Sequence, residues 1–459
     1  MKRTLAEFAR ACGGTLRGAD APYSDVVTDS RTLKRGQLFV ALRGPNFDGH
    51  DFVGAARRAG AAGALVSTPQ PQPLPQVVVP DTQAALERAA RSSRAQYRGP
   101  LVGVGGSNGK TTTKEMTAAI LAQAGPCLAT RGNLNNHIGV PLTLLGLTAE
   151  HRFAVIEMGA NRPGEIAALA ALARPSVGLI TNAGAEHLLG FGTLEGVARA
   201  EGEMVSGLTA AATAVLNADD EFFTLWRGST AARVVTFALK AAADFTASEV
   251  RSHVDAEGFN TRFRLHAPQG STPIRLGLGG THNITNALAA AAAAASAGAT
   301  LEQVAAGLAG VRAVPGRLQF RQLGGGAWLI DDAYNANPSS VRAAIEVLMS
   351  LEGRKWLVLG DMGELGASAP QAHAAIGEFA RAAGIERLYA TGPLMAAAVQ
   401  SFGAGAQWFA DVPQMAAHLQ AALAADSAGT VRVLVKGSRF NRLERVVQAL
   451  GGGAGAGSH

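Results

Sequence analysis

The stretch LVGVGGSNGKTTTKEMTAAILA, residues 101–122, decides how the rest of the chain is read. A short run of apolar and small residues predicts a buried strand, a glycine-rich turn follows, and Met116 to Ala124 reads as a helix. Glycines at 103, 105, 106 and 109 let consecutive backbone N–H groups turn inward between the two. A turn of this kind at a helix N-terminus cradles phosphate oxygens. Gly106, Ser107, Asn108, Gly109 and Thr112 would form its wall, Lys110 would neutralise the terminal phosphates, and the Thr111 hydroxyl is placed to ligate Mg²⁺. The strict spacing of such loops requires glycine at 104, where this chain has Val104, so the loop is a variant of the pattern.

Outward from this loop, the apolar runs FAVIEMG (153–159), VGLITNAG (177–184) and TAVLNADD (213–220) alternate with alanine-rich helical stretches. That alternation predicts an α/β domain over residues 81–313, with a mostly parallel sheet covered by helices. Residues 1–80 read as a smaller α/β unit closed by the proline-rich segment Pro69 to Gln76 and a short strand. Near AVPGRLQF (313–320) the pattern restarts. AWLIDDAYNANP, KWLVLGDMGELG, ERLYATG and VRVLVKGS predict a third, Rossmann-like α/β domain over 314–450, and the glycine-rich tail 451–459 reads as disordered. Three domains also suit 459 residues at roughly 150 per domain.

Composition narrows the function classes. Hydrophobic residues make up 47% and charged residues 17%, which excludes a disordered acidic chain and a coiled coil. The net charge of +6 comes with no basic run long enough to track a nucleic-acid backbone, so a small anionic substrate suits it. Two cysteines, Cys12 and Cys127, are too few for a disulfide framework or a cysteine-rich zinc site. Glu7 and Arg10 interrupt the place where a secretory signal would be apolar, and the alanine run Ala287 to Ala299 falls short of the roughly 20 strongly apolar residues of a membrane span. A cytoplasmic enzyme without a membrane span is the expectation.

Mg²⁺ held by one threonine and by phosphates usually takes another protein oxygen, often a carboxylate at the C-terminal end of a strand. Glu157, which ends FAVIE, fits that place. Ligands of open parallel sheets sit beyond those strand ends, so His187, just after VGLITNAG, would face the same crevice as a catalytic and metal-binding candidate. Asp219 and Asp220 also follow a strand, but AVLNADDE reads as readily as a turn with helix-capping aspartates.

The phosphate loop is one of nine motifs that stand in order along the chain. With GNLNNHIGVPLTLL (132–145), VIEMGAN (155–161), TNAGAEHLLGFG (181–192), GTHNITNALAA (280–290), PGRL (315–318), IDDAYNANP (330–338), LGDMGELG (359–366) and VKGSR (435–439), the chain closely resembles the Mur ligase family. TDSR (28–31) and ALRGPNFDGHDF (41–52) extend the likeness toward the N-terminus. Within the family it is most like the branch that joins D-alanyl-D-alanine to a UDP-N-acetylmuramoyl tripeptide for peptidoglycan synthesis. The resemblance implies domains for the UDP-sugar, ATP and the incoming amine, in that order, and a monomer acting on small molecules. It also implies chemistry in which a carboxylate attacks the γ-phosphoryl group of ATP and an amine opens the resulting acyl phosphate.

The resemblance carries roles onto named positions. Ser30 and Arg31 are implied for uracil and diphosphate, Asn133 and Asn136 for the neighbourhood of the reaction centre, and Asn283 for the adenine side. On the residues alone, Asn283 could equally cap the alanine-rich helix. Arg317 matches an arginine that reaches the ATP phosphates and couples domain closure to catalysis, and Asp331 matches the acidic residue on the ribose. Tyr334, Asn335, Asn337, Lys436 and Ser438 are implied around the dipeptide and phosphates, Asn335 in a catalytic role. Many members carbamylate a lysine on the helix after TNAGAEHLLGFG to help hold a second Mg²⁺. Here that segment reads GVARAEGEM, and the aligned Glu201 would supply the negative charge directly. The sibling branch that adds diaminopimelate or lysine usually carries a DNPR-type motif, which this chain lacks. A phosphate-loop ATPase driving a conformational switch would account for Lys110 and Thr111 but not for the other motifs.

Overall fold

Each apolar run of the sequence becomes a strand, and most strands sort into three sheets in chain order. The computed structural model describes residues 3–255, 258–426 and 430–451, so the expected disordered tail lies outside the described residues from 452 onward. In the N-terminal unit β1 (Thr15–Arg17), β2 (Val26–Val27), β3 (Leu38–Val40), β4 (Gly63–Val66) and β5 (Gln76–Val78) pair in the order β1-β5-β4-β3-β2. Leu38, Val40, Leu65 and Val77 bury one face of this sheet against Leu5, Phe8 and Cys12 of an N-terminal helix.

The central sheet has six parallel strands: β6 (Leu101–Gly105), β7 (Cys127–Ala129), β8 (Phe153–Glu157), β9 (Val177–Ile180), β10 (Thr213–Asn217) and β11 (Arg233–Phe237). Their order is β7-β8-β6-β9-β10-β11, so β6 lies between β8 and β9. Here the strand order reverses direction, and the loops after the C-terminal ends part to leave a crevice. Helix α1 (Lys110–Ala122) starts there directly after the loop, and α2 (Leu194–Ser206) lies against β6 and β9.

Helix α3 (Thr281–Ser296) packs on α1 and on β9, β10 and β11. Ala287 and Ala289 to Ala294 are fully or almost fully buried, in one cluster with Val104, Ile120 and Leu179. A surface of methyl groups lets the helix backbone approach the sheet closely, which is why this run packs inside the core.

An all-parallel central domain is not what the chain forms. β12 (Thr246–Asp255), β13 (Gly258–Ala267) and β14 (Gly270–Leu276) make a separate antiparallel sheet in that order. Phe263, Leu265, Ile274 and Leu276 face the α3 cluster, while every second residue faces outward and is polar. Such alternation marks a half-buried antiparallel sheet rather than a buried parallel strand.

The C-terminal sheet joins β15 (Gln319–Gln322), β16 (Trp328–Asp332), β17 (Arg354–Gly360), β18 (Arg387–Thr391), β19 (Ala406–Phe409) and β20 (Val431–Lys436) in the order β15-β16-β20-β17-β18-β19. Only the edge strand β15 is antiparallel to its neighbour. Helix α4 (Pro338–Met349) follows β16 and is capped by Asn337, whose side chain accepts from Ser340 N.

Candidate active site

The loop between β6 and α1 turns on two glycines in the left-handed region. Gly106 has φ +114°, and a Cβ there would lie 2.1 Å from Thr181 Oγ1; Gly109 has φ +81°, and its Cβ would lie 2.3 Å from Asn286 Oδ1. Neither position accepts a side chain. Lys110 curls back over the loop, donating to Gly106 O and to Ser107 O at 3.0 Å and lying 3.2 Å from Glu186 Oε1. Burial works against its positive charge, but Glu186, Glu201 and Glu157 outweigh it and hold the ammonium above its ordinary pKa.

Beside the loop, Thr111 Oγ1 donates to Glu157 Oε1 at 3.2 Å, and Asn135 Nδ2 donates to the same oxygen at 2.9 Å. Glu157 is 2% exposed, and its Oε2 is buried with no hydrogen-bond partner. An orphaned carboxylate oxygen next to a hydroxyl fits a hard cation that prefers oxygen ligands. Among the described residues no group of three or more His, Cys, Asp or Glu is arranged to hold a metal. A cation here would therefore rest on Thr111 and Glu157, with phosphate and water oxygens completing its shell.

A cleft of about 640 Å³ opens above these groups, between the central and C-terminal sheets. Arg317 crosses it: Nη2 donates to Thr111 Oγ1 at 3.0 Å, and the guanidinium stacks 4.4 Å from the Tyr334 ring centroid. Asp332 anchors the same segment by accepting from Leu318 N at 3.1 Å, and its other oxygen takes Lys436 Nζ at 2.6 Å. Lys436 also donates to Asn335 O at 2.9 Å. Two more contacts tie the walls together. Asn337 Nδ2 donates to Asn108 Oδ1 at 2.8 Å, and His187 Nδ1 lies against the Glu364 carboxylate, with Leu189 N donating to Glu364 O at 3.2 Å.

The cleft thus brings together most of the expected residues: Ser107 to Thr112, Asn133, Asn136, Glu157, His187, Asn283, Arg317, Tyr334, Asn335, Asn337 and Lys436 all line it. Asn283 is not a cap, because α3 begins after Gly280 without a side-chain cap; its amide donates to Gly279 O at 2.7 Å. Asp219 and Asp220 resolve as turn anchors, accepting from Leu239 N at 2.6 Å and Ala183 N at 2.9 Å respectively.

Four expectations need correction or lie elsewhere. Asp331 does not face the cleft: neighbouring residues of a strand point to opposite faces, so Asp331 turns to Arg321 at 3.6 Å and Asp332 takes the inward place. Glu201 lies beneath the loop rather than in the cleft wall, because α2 presents it from below. It is 4% exposed and accepts from Gly106 N at 2.5 Å. Ser438 is buried behind the wall, accepting from Gly363 N at 2.9 Å and donating to Ala336 O at 3.2 Å. Ser30 and Arg31 sit in the N-terminal unit outside this cleft, and Arg31 pairs with Asp29 at 2.7 Å.

Three titratable cleft residues escaped the sequence reading: Glu186, His282 and Asp332. Glu186 and Asp332 each adjoin a residue that was chosen, so the signal lay one position away. Burial pushes the His282 imidazole down to about 4, which keeps it neutral at physiological pH.

Known families match successive parts of the chain: the Mur ligase family catalytic domain at residues 22–96, the Mur ligase middle domain at 104–294, and the Mur ligase glutamate ligase domain at 316–439. The chain is 47% identical over 449 residues to the UDP-N-acetylmuramoyl-tripeptide--D-alanyl-D-alanine ligase of Escherichia coli K12, covering 97% of this chain and 98% of that protein. Among solved structures, MurF from Acinetobacter baumannii superposes with a TM-score of 0.89 at 34% identity, over 98% of this chain and 99% of that one. The MurF ligase of Thermotoga maritima in complex with ADP gives 0.79 at 29% identity, over 93% and 97%.

Proposed function

This chain belongs to the Mur ligase family, and from that premise we propose that it joins D-alanyl-D-alanine to a UDP-N-acetylmuramoyl tripeptide while ATP is cleaved to ADP and phosphate. The observation that carries this reading is the likeness, over nearly the full length of both chains, to a ligase of that name.

In the first step the terminal carboxylate of the tripeptide attacks the γ-phosphorus of ATP; an O–P bond forms and the bond to ADP breaks. Two anions meet, so the reaction needs fixed positive charge more than a protein nucleophile. Lys110 supplies it from the loop, and Arg317 supplies it from the C-terminal side, where its contact with Thr111 sets its reach. Mg²⁺ fits against Thr111 and Glu157, where it would neutralise charge on the phosphate oxygens.

In the second step the dipeptide amine attacks the acyl carbon. A C–N bond forms, phosphate leaves, and the amine gives up its proton. Asn133, Asn136, Tyr334, Asn335 and Asn337 are neutral hydrogen-bonding groups suited to orienting the reactants, and Lys436 is the cation nearest Asn335. Asn283 and Asp332 serve the nucleoside in this reading, and Ser30 and Arg31 serve the uracil diphosphate. Glu201 acts on the loop from behind. ATP and a UDP-linked substrate set the reaction in the cytoplasm, and among the described residues no helix is long and apolar enough to cross a membrane.

The test is phosphate release from ATP and Mg²⁺ with UDP-N-acetylmuramoyl tripeptide, adding D-alanyl-D-alanine, diaminopimelate or lysine in separate reactions. Release with the dipeptide alone, and a product heavier by the dipeptide less one water, is the expected result. Release with a free amino acid moves the chain to the sibling branch. Release without any amine or UDP-sugar makes it a switch ATPase.

A further inference from the structure

The antiparallel sheet β12-β13-β14 turns one face to α3 and the other to solvent. On the outer face the register sets Arg251 opposite Arg262, and Arg262 opposite Arg275. Three guanidinium groups thus stand in one line across three strands, with neighbouring strands about 4.8 Å apart. All three arginines are exposed, and none joins an ion pair among the described residues. Like charges held directly opposite one another destabilise a sheet, and among the described residues no ion pair of these three arginines offsets that cost.

The surroundings sharpen the feature. Arg264 in the next row pairs with Glu249 at 3.2 Å, and His253 on the other flank lies 3.7 Å from Asp255, so these two described carboxylates are engaged away from the line. The register breaks between Ser248 and Arg251, and at that bulge Val250 is 47% exposed, next to Arg251. The face lies outside the lining of the cleft, so covering it leaves the active site open.

We propose that this face docks on the anionic surface of a phospholipid bilayer. A sheet face carrying a row of cations complements a plane of lipid phosphates. Single-stranded nucleic acid calls for aromatic platforms between the cations, and a protein partner calls for a large anchor at the centre of the patch. The outward positions Arg251, Arg262, Arg264, His266 and Arg275 include no Phe, Tyr or Trp platform and no large apolar anchor. A basic residue at an anionic surface raises partitioning about five-fold, so the line together is worth on the order of a hundred-fold.

The experiment is co-sedimentation of the full chain, at low salt, with vesicles of phosphatidylglycerol and phosphatidylcholine and with vesicles of phosphatidylcholine alone. The chain should bind the mixed vesicles only, and added salt should release it. The variant Arg251→Gln/Arg262→Gln/Arg275→Gln should lose about a hundred-fold in partitioning while its ligase turnover on soluble substrates is unchanged, which also shows that it folds; should it fail to fold, Arg262→Gln alone should lose about five-fold. Equal binding by variant and parent overturns the proposal, as does absence of preference for phosphatidylglycerol. So does a chain that ignores vesicles but binds a single-stranded RNA oligonucleotide through the same arginines. Vesicle binding is read without substrates, so its failure and a failure of the proposed ligase activity are separate results.

Discussion

The charge on Lys110 is decided by its neighbours. Three carboxylates hold it protonated despite burial, so its side chain is a cation at physiological pH. Lys110→Ala should lower turnover by about 10³-fold or more with the circular dichroism spectrum unchanged, as phosphate release would show. Glu201 is the opposite case: burial pushes its carboxyl from an ordinary 4.5 up to about 7, although Lys110 pulls the other way. The folded state then binds this proton more tightly than the unfolded chain. Its contribution to stability is complete below pH 4.5 and is lost as pH rises through about 7. Glu201→Gln stays neutral and still accepts from Gly106 N, so the melting temperature of the variant should gain on that of the parent across this window; parallel melting curves would refute the assignment. At this scale the phosphate loop was legible, because glycine, lysine and threonine each have one physical use in such a turn. The choice between Asp331 and Asp332 was not, since adjacent strand residues differ only in the face they reach.

Among the elements, α3 depends on its side chains being small. Ala290 is fully buried in the cluster shared with the central sheet, so Ala290→Leu should destabilise the chain by about 1–3 kcal/mol through overpacking, measured by denaturant unfolding. The parallel strands could be read from their continuous apolar runs, since both of their faces are buried. β12 to β14 could not, because half of their residues face water and dilute the apolar signal. The same dilution hid the arginine line. Arg251, Arg262 and Arg275 are scattered along the sequence and become neighbours only through strand pairing, so no basic run announces them.

Over the whole molecule, the three-part architecture follows from length and from the restart of the strand pattern near residue 313. How the C-terminal sheet sits on the central one does not follow, because the contacts across the cleft join residues far apart in the sequence: Arg317 on Thr111, Asn337 on Asn108, and Glu364 on His187. His187 and Glu364 both adopt left-handed backbone, with φ +50° and +62°, so each side of that contact is held in a conformation costing about 1 kcal/mol or more. Arg317→Ala should lower turnover by about 10³-fold and leave the KM for the UDP-linked substrate near its original value, since the proposed role of the arginine is on the ATP phosphates. Steady-state kinetics checks both; an equal change in KM alone would assign Arg317 to binding.

In the proposed reaction Arg317 would also determine when the nucleotide becomes reactive. Tyr334 and Asp332 fasten its segment to the C-terminal wall, so the guanidinium travels with that wall and not with the loop that carries Lys110. ATP resting on the central sheet with the wall swung away has only part of its counter-charge, and water attacking it meets nearly the uncatalysed barrier. On the proposed mechanism the protein would guard its fuel: idle hydrolysis would stay slow until the walls meet around a complete set of reactants.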